Sequence, residues 1–146
     1  MSSPISSKPL SGSDESGASF AKEMLEGDIT AGINFDRLQK HPTQGYIMFE
    51  YLLCDEKQTV DPFTSHPNRY WDKNSRKFIA LWEASQKLNA KLYLVNYAKK
   101  GTKNEDKILL IEVLKINDKG IIEETLTKMT RNEFKAFFRK LNKECL

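Results

Sequence analysis

Apolar residues are most concentrated over residues 46–53, YIMFEYLL, where a single carboxylate, Glu50, interrupts the run. About eight apolar residues between a glycine and a polar turn are typical of a strand that is buried on both faces. An unpaired ionised carboxylate is very costly at such a position. The pattern therefore predicts a partner for Glu50, either a basic side chain or a metal ion that a second carboxylate shares.

Helical and strand periodicity alternate along the rest of the chain. A helix from Phe20 to near Gly27, with Ser19 as its N-cap, is expected to bury Phe20 and Met24. Asn117-Asp118-Lys119-Gly120 predicts a hairpin turn, and Thr130-Arg131-Asn132-Glu133 has the form of a capping box. The remaining elements are predicted as strands over 28–38, 46–53, 91–98, 108–116 and 121–126, and helices over 68–88 and 130–142.

Two connections suggest how these elements are arranged. His41-Pro42-Thr43-Gln44-Gly45 separates two strands by a short loop, which predicts a hairpin that brings Asp36 near Glu50. The strand–helix–strand order that follows predicts a parallel pair with a right-handed crossover. The expected fold is α/β, with a central mixed β-sheet of about five strands flanked by helices.

Composition limits the remaining possibilities. The 146 residues, 39% hydrophobic, fit one domain, predicted over 20–146, after a Ser- and Gly-rich disordered tail over 1–19. The net charge of +3 permits a nucleic-acid partner. Two isolated cysteines indicate a reducing compartment, and neither a membrane span nor a signal peptide is apparent, so a cytoplasmic protein with no membrane partner is expected.

The order of helix, strand with Asp36, strand with Glu50, helix and strand resembles the core of the PD-(D/E)XK nuclease superfamily over residues 20–98. The resemblance implies a restriction-endonuclease-like fold in which Asp36 and Glu50 hold Mg²⁺ and Glu23 assists as an accessory acidic ligand. Leu52 stands where that family has its lysine. In some members the lysine comes from the next helix, and Lys77 is our choice for that catalytic role.

The function expected from the resemblance is metal-dependent hydrolysis of phosphodiester bonds in DNA, with Arg69, Lys73 and Arg76 contacting phosphates. The alternative is a catalytically inactive module of the same fold that binds nucleic acid or a protein partner. A homodimer or a larger complex is compatible with either function.

Each of these residues also has a purely structural interpretation. Glu50 is then a buried carboxylate neutralised by Arg76 or Lys77. Asp36 is then a turn residue, and the basic cluster is a solvated helix face. His66 closes a loop, and the aromatic residues Tyr70, Trp71 and Trp82 belong to the core.

Overall fold

The computed structural model describes residues 16–146 and divides them into two units, which we treat separately. The first ends at Gly32 and contains helix α1 (Ser16–Leu25), and the second is Ile33–Cys145. Of the tail predicted over 1–19, residues 1–15 lie outside the described residues, and residues 16–19 form the start of α1. The unit that carries the sheet begins at Ile33. The domain predicted from composition begins at residue 20.

Helix α1 differs from its prediction in two respects. It begins at Ser16, so Ser19 lies inside the helix and is not its N-cap. None of its residues is buried, and Phe20 and Met24 are 63% and 57% exposed. The apolar spacing along this segment therefore does not mark a core-facing side.

One five-stranded sheet organises the second unit, in the order β1 (Arg37–His41), β2 (Gly45–Leu53), β3 (Lys91–Tyr97), β4 (Ile108–Asn117) and β5 (Gly120–Met129). β2 and β3 are parallel, and the other three neighbouring pairs are antiparallel. The predicted mixed five-stranded α/β architecture is confirmed, as are the first hairpin and the parallel crossover.

The two faces of the sheet carry different helices because successive side chains of a strand point to opposite sides. A short 3-10 helix (Pro67–Tyr70) leads into helix α2 (Trp71–Lys87), whose Phe78 and Leu81 pack on Met48 and Leu94. Helix α3 (Arg131–Glu144) covers the opposite face, where Phe49 and Tyr93 lie. Both faces of β2 and β3 are therefore buried, which explains their nearly continuous apolar sequences.

The strand predicted over 28–38 is wrong in its position. Residues 28–35 form neither helix nor strand, and β1 begins only at Arg37. The register explains the difference, because the β1–β2 pairing starts with Arg37 opposite Phe49 and runs to His41 opposite Gly45. Alternating residues such as Ile33, which is 53% exposed, have no strand pairing in the part of the chain that the structure describes. Alternation without a paired strand does not produce a strand.

The elements predicted near the C-terminus agree more closely with the structure. The capping box is present at α3, since the Thr130 hydroxyl accepts from the Glu133 amide while the Glu133 carboxylate accepts from the Thr130 amide. β5 is longer than predicted and continues to Met129. Among residues 16–146, every helix is too short or too polar to cross a lipid bilayer.

Candidate functional site

Glu50 lies in β2 on the face that α2 covers. Its neighbour across the parallel pair is Leu94, and Met48 precedes it on the same face. Its side chain is only 7% exposed. The interruption seen in the sequence is therefore a carboxyl group placed among apolar side chains at the edge of the core.

Lys77 supplies the basic partner. This residue of α2 precedes the buried Phe78, and its ammonium nitrogen Nζ lies 2.7 Å from Oε2 of Glu50. The lysine side chain is 44% exposed, whereas that of Glu50 is almost completely buried. Of the two basic partners considered for Glu50, Arg76 and Lys77, the structure selects Lys77.

Asp36 lies near the Glu50–Lys77 pair. It precedes β1, and its own amide donates to the carbonyl of Phe49 at 3.2 Å, which continues the β1–β2 pairing by one residue. Its Oδ2 accepts a 2.8 Å hydrogen bond from the Tyr51 amide. The Asp36 carboxylate is also close enough to the Glu50 carboxyl group to raise the pKa of Glu50. The hairpin thus brings together the two acidic residues that the sequence singled out.

The environment changes the acidity of Glu50. Burial raises its pKa from 4.5 to about 7, the Lys77 ammonium partly opposes this rise, and the neighbouring Asp36 carboxylate reinforces it. Near neutral pH the Glu50 carboxyl therefore gains or loses a proton readily. Such strongly shifted carboxyl groups are concentrated at functional sites.

The arrangement is not the one that neutralisation alone would give. Two carboxylates, Asp36 and Glu50, face a single ammonium group, so the cluster has one negative charge in excess when both are ionised. A second carboxylate beside a buried ion pair destabilises the ionised form of the first. This surplus is what a bound cation would offset.

A cationic cleft adjoins this cluster through Lys77, whereas Asp36 and Glu50 do not line it. The cleft measures about 480 Å³, and Lys77 lines it together with Arg69 and Lys73. These three residues are spaced four apart, which places them along one side of the helical segment. Arg76, predicted as a third phosphate contact, is exposed but does not line the cleft.

The three predicted metal ligands belong to two different units. Glu23 lies on α1 in the N-terminal unit, and Asp36 and Glu50 lie in the sheet-bearing unit. Over residues 16–146, the structure gathers no group of three or more His, Cys, Asp or Glu side chains suited to a metal ion. The candidate metal ligands that lie together are therefore Asp36 and Glu50.

Other candidates have structural roles. His66 caps the 3-10 helix, because its Nδ1 accepts from the Asn68 amide, and its Nε2 lies 2.7 Å from the carboxylate of Glu124. Trp71 is buried and stacks on Phe78 with ring centroids 5.5 Å apart. Tyr70 and Trp82 pack against the same core.

One polar residue that supports the cleft was not predicted. Asn96 is completely buried in β3, opposite Leu52, and its side-chain amide donates to the carbonyl oxygens of Pro62 and Ser65. These bonds fix the loop that places Ser65 in the lining of the cleft. The signal for it is the single asparagine within the apolar run KLYLVNYA.

Comparison with known protein families, with curated proteins and with solved structures finds no match. The fold and the site geometry are therefore the only basis for assigning a function.

Proposed function

We propose that this protein is a metal-dependent nuclease-like enzyme that hydrolyses phosphodiester bonds in DNA. The observation that carries the proposal is the convergence of Asp36, Glu50 and Lys77, of which Lys77 also lines a cationic cleft. Two carboxylates and a lysine, drawn from the residue before β1, from β2 and from the next helix, are the groups that such hydrolysis uses.

The two carboxylates suit Mg²⁺, which prefers hard oxygen ligands and is held by one or two carboxylates together with substrate phosphate oxygens. When bound, the ion would acidify a water molecule and offset the negative charge that develops on the phosphate. Asp36 is fixed for this role by its hydrogen bond from the Tyr51 amide. Lys77 would neutralise charge on the same phosphate, since its side chain is partly exposed and lines the cleft.

The raised pKa of Glu50 supports the same proposal. A cation near the Asp36–Glu50 pair favours the ionised form of Glu50, so the proton that burial retains would leave when the ion binds. A carboxylate placed only to neutralise Lys77 has no use for a second carboxylate beside it.

The primary test is hydrolysis of plasmid DNA in the presence of Mg²⁺ by wild type and by Asp36→Asn. The asparagine keeps the oxygen that accepts from the Tyr51 amide, so the hairpin is retained while one metal ligand is lost. We expect cleavage to fall at least about 100-fold, because even groups that only orient metal ligands contribute about 10–100-fold. Equal cleavage by both proteins, or no cleavage of plasmid or single-stranded DNA by wild type with any divalent metal, would remove the proposal. DNA binding without cleavage, unchanged by Asp36→Asn, would favour the inactive module.

The position of the lysine provides a second test. Leu52 lies two residues after Glu50 on the same strand and lines the same cleft as Lys77. We expect Lys77→Ala to lower the hydrolysis rate about 100-fold, as loss of a charge-stabilising donor does, and Lys77→Ala with Leu52→Lys to recover part of it. Leu52→Lys alone is the control. If the double variant is no more active than Lys77→Ala although it folds and binds DNA, a lysine at Leu52 cannot replace Lys77.

A further inference from the structure

A second cleft lies on the face of the sheet opposite Glu50, between the strands and α3. We call it the α3 cleft. It measures about 350 Å³, within the range of roughly 300–1,000 Å³ that small-ligand sites occupy. Its lining includes four aromatic side chains, Tyr51, Tyr97, Phe134 and Phe138.

These rings are only half-buried, although they adjoin the core of this face. Phe134 and Phe138 lie with centroids 5.5 Å apart, and the Tyr51 ring meets Phe138 edge-on at 6.4 Å. Aromatic surface that lines a cleft in this way is suited to a planar ligand that stacks on it.

The same cleft is bordered by cations. Arg131, Lys135 and Arg139 are spaced four apart along α3 and all line it, and none of the described residues that line it is acidic. The Arg131 guanidinium is occupied, since it donates to the carbonyl oxygens of Ala98 and Glu105. Lys135 and Arg139 are exposed, and neither forms a salt bridge with a residue in the range 16–146. The charge of the rim therefore complements an anionic ligand.

The α3 cleft and the cationic cleft share one lining residue. Tyr51 lines both the α3 cleft and the cationic cleft next to Lys77. In the part of the chain that the structure describes, β1 pairs with β2 only as far as Phe49. Beyond that residue, the Tyr51 amide donates a hydrogen bond to the Asp36 side chain. The two clefts therefore have Tyr51, near the end of β2, in common.

We propose that the α3 cleft binds an unpaired nucleobase of single-stranded nucleic acid, with Lys135 and Arg139 contacting the adjoining phosphates. This inference rests on the proposed function, because it gives that site its substrate class. A duplex keeps its bases stacked inside, whereas a single strand presents base faces to aromatic side chains and phosphates to lysine and arginine.

The test is fluorescence anisotropy with the full chain and a labelled oligothymidylate of about 12 nucleotides, a length within the site sizes of single-strand binding proteins. A chelator replaces the metal, so that no hydrolysis occurs. The comparison ligand is an abasic oligonucleotide of equal length. We expect the base-bearing strand to bind about tenfold more tightly, and Phe134→Leu to remove most of that difference. Tyr97→Leu repeats the test should Phe134→Leu fail to fold.

A matched pair of double variants tests the cationic rim. Lys135→Glu with Arg139→Glu is compared with Lys140→Glu and Lys143→Glu, two exposed residues of α3 that do not line the cleft. Both pairs change the net charge equally. We expect the first pair to weaken oligonucleotide binding at least about tenfold more than the second. Equal effects of the two pairs, or equal affinity of wild type for the base-bearing and abasic strands, would overturn the inference.

Failure of the inference is distinguishable from failure of the proposed function, because binding is measured without metal. Base-dependent binding by a protein that does not hydrolyse DNA would support the α3 cleft and remove the enzyme. Hydrolysis of DNA by Lys135→Glu with Arg139→Glu at the wild-type rate, on single-stranded substrate, would support the enzyme and overturn the α3 cleft.

Discussion

At the scale of single residues, Glu50 is held between opposing influences on its charge. Its carboxyl group is buried among apolar side chains, bonded to Lys77 and crowded by Asp36. Burial and Asp36 favour the protonated form, and Lys77 favours the ionised form. The residue is therefore placed where a small change in local charge decides its protonation.

The stability of the protein should depend on this proton. Because the folded-state pKa of Glu50, about 7, lies above its ordinary value of 4.5, the folded chain holds a proton that the unfolded chain releases between these two values. The resulting stabilisation is complete below about pH 4.5 and is lost as the pH rises through about 7. It amounts to about 1–3 kcal/mol, the lower figure allowing for screening by solvent on the side of Lys77.

Glu50→Gln removes this titration while keeping the size of the side chain. We expect the free energy of unfolding of Glu50→Gln, relative to wild type, to increase between about pH 4.5 and about pH 8 by that same amount. Urea denaturation across this range measures it, with the exposed Glu56→Gln as the control. Wild-type and Glu50→Gln curves that stay parallel with pH would show that Glu50 titrates normally. Higher stability of Glu50→Gln at about pH 8, combined with lost hydrolysis, is the trade-off typical of an active site.

The residues of the site were predictable to different degrees for physical reasons. Glu50 stands out because a carboxylate within an apolar strand requires a partner, and Asp36 follows from the hairpin loop, although its strand was placed wrongly. Lys77 was chosen from a cluster of four basic residues, and the sequence treated Arg76 as equivalent to Arg69 and Lys73. Only the angular position on α2 separates Arg76 from the cleft, and this depends on how the helix is rotated against the sheet.

At the scale of elements, α2 and α3 were predictable from local sequence, whereas the bounds of β1 and α1 were not. α3 carries its own start signal in the capping box, and both helices have an apolar side long enough to define a core-facing stripe. β1 has five residues, and its bounds depend on where β2 offers a partner. Local sequence therefore specifies the elements that signal their own ends, whereas pairing across the sheet specifies the short edge strand.

The 3-10 helix and α2 together allow a prediction about the cationic cleft. Arg69 and Lys73 line it and Arg76 does not, although the three lie within eight residues of one another. We expect Arg69→Glu with Lys73→Glu to weaken DNA binding and to reduce the slope of log affinity against log salt by about 2, roughly one unit for each lost phosphate contact. Anisotropy titrations with chelator between about 50 and 200 mM salt measure the slope.

The control for this helix is Arg76→Glu, whose slope should stay near that of wild type. If Arg76→Glu alone weakens binding as much as Lys73→Glu alone, the affinity depends on the overall charge of the helix face, and the cleft has no particular role.

At the scale of the whole sheet-bearing unit, the topology explains why both clefts lie where they do. The parallel pair β2–β3 requires α2 as a crossover on one face, and α3 returns over the other. Among the described strand pairings β1 reaches only as far as Phe49 of β2, and the cationic cleft and the α3 cleft share Tyr51 beyond that point. The sequence allowed the sheet to be predicted, but not this shared residue, because it depends on where β1 stops.

A metal that binds only the folded unit should stabilise all of it, which provides a test independent of any substrate. Binding to the folded state adds about 2.7 kcal/mol when the ligand is present at about 100 times its dissociation constant. We therefore expect Mg²⁺ to raise the melting temperature of wild type at about pH 8, where Glu50 is largely ionised. The rise should be smaller at about pH 5, since protons then compete with the ion for Glu50. Asp36→Asn and Glu50→Gln should each remove it, whereas Glu56→Gln should not. An equal response of the melting temperature to Mg²⁺ in all four proteins, or no response in any, would mean that Asp36 and Glu50 do not form a metal site. Lys77 would then be the cation that neutralises this carboxylate pair.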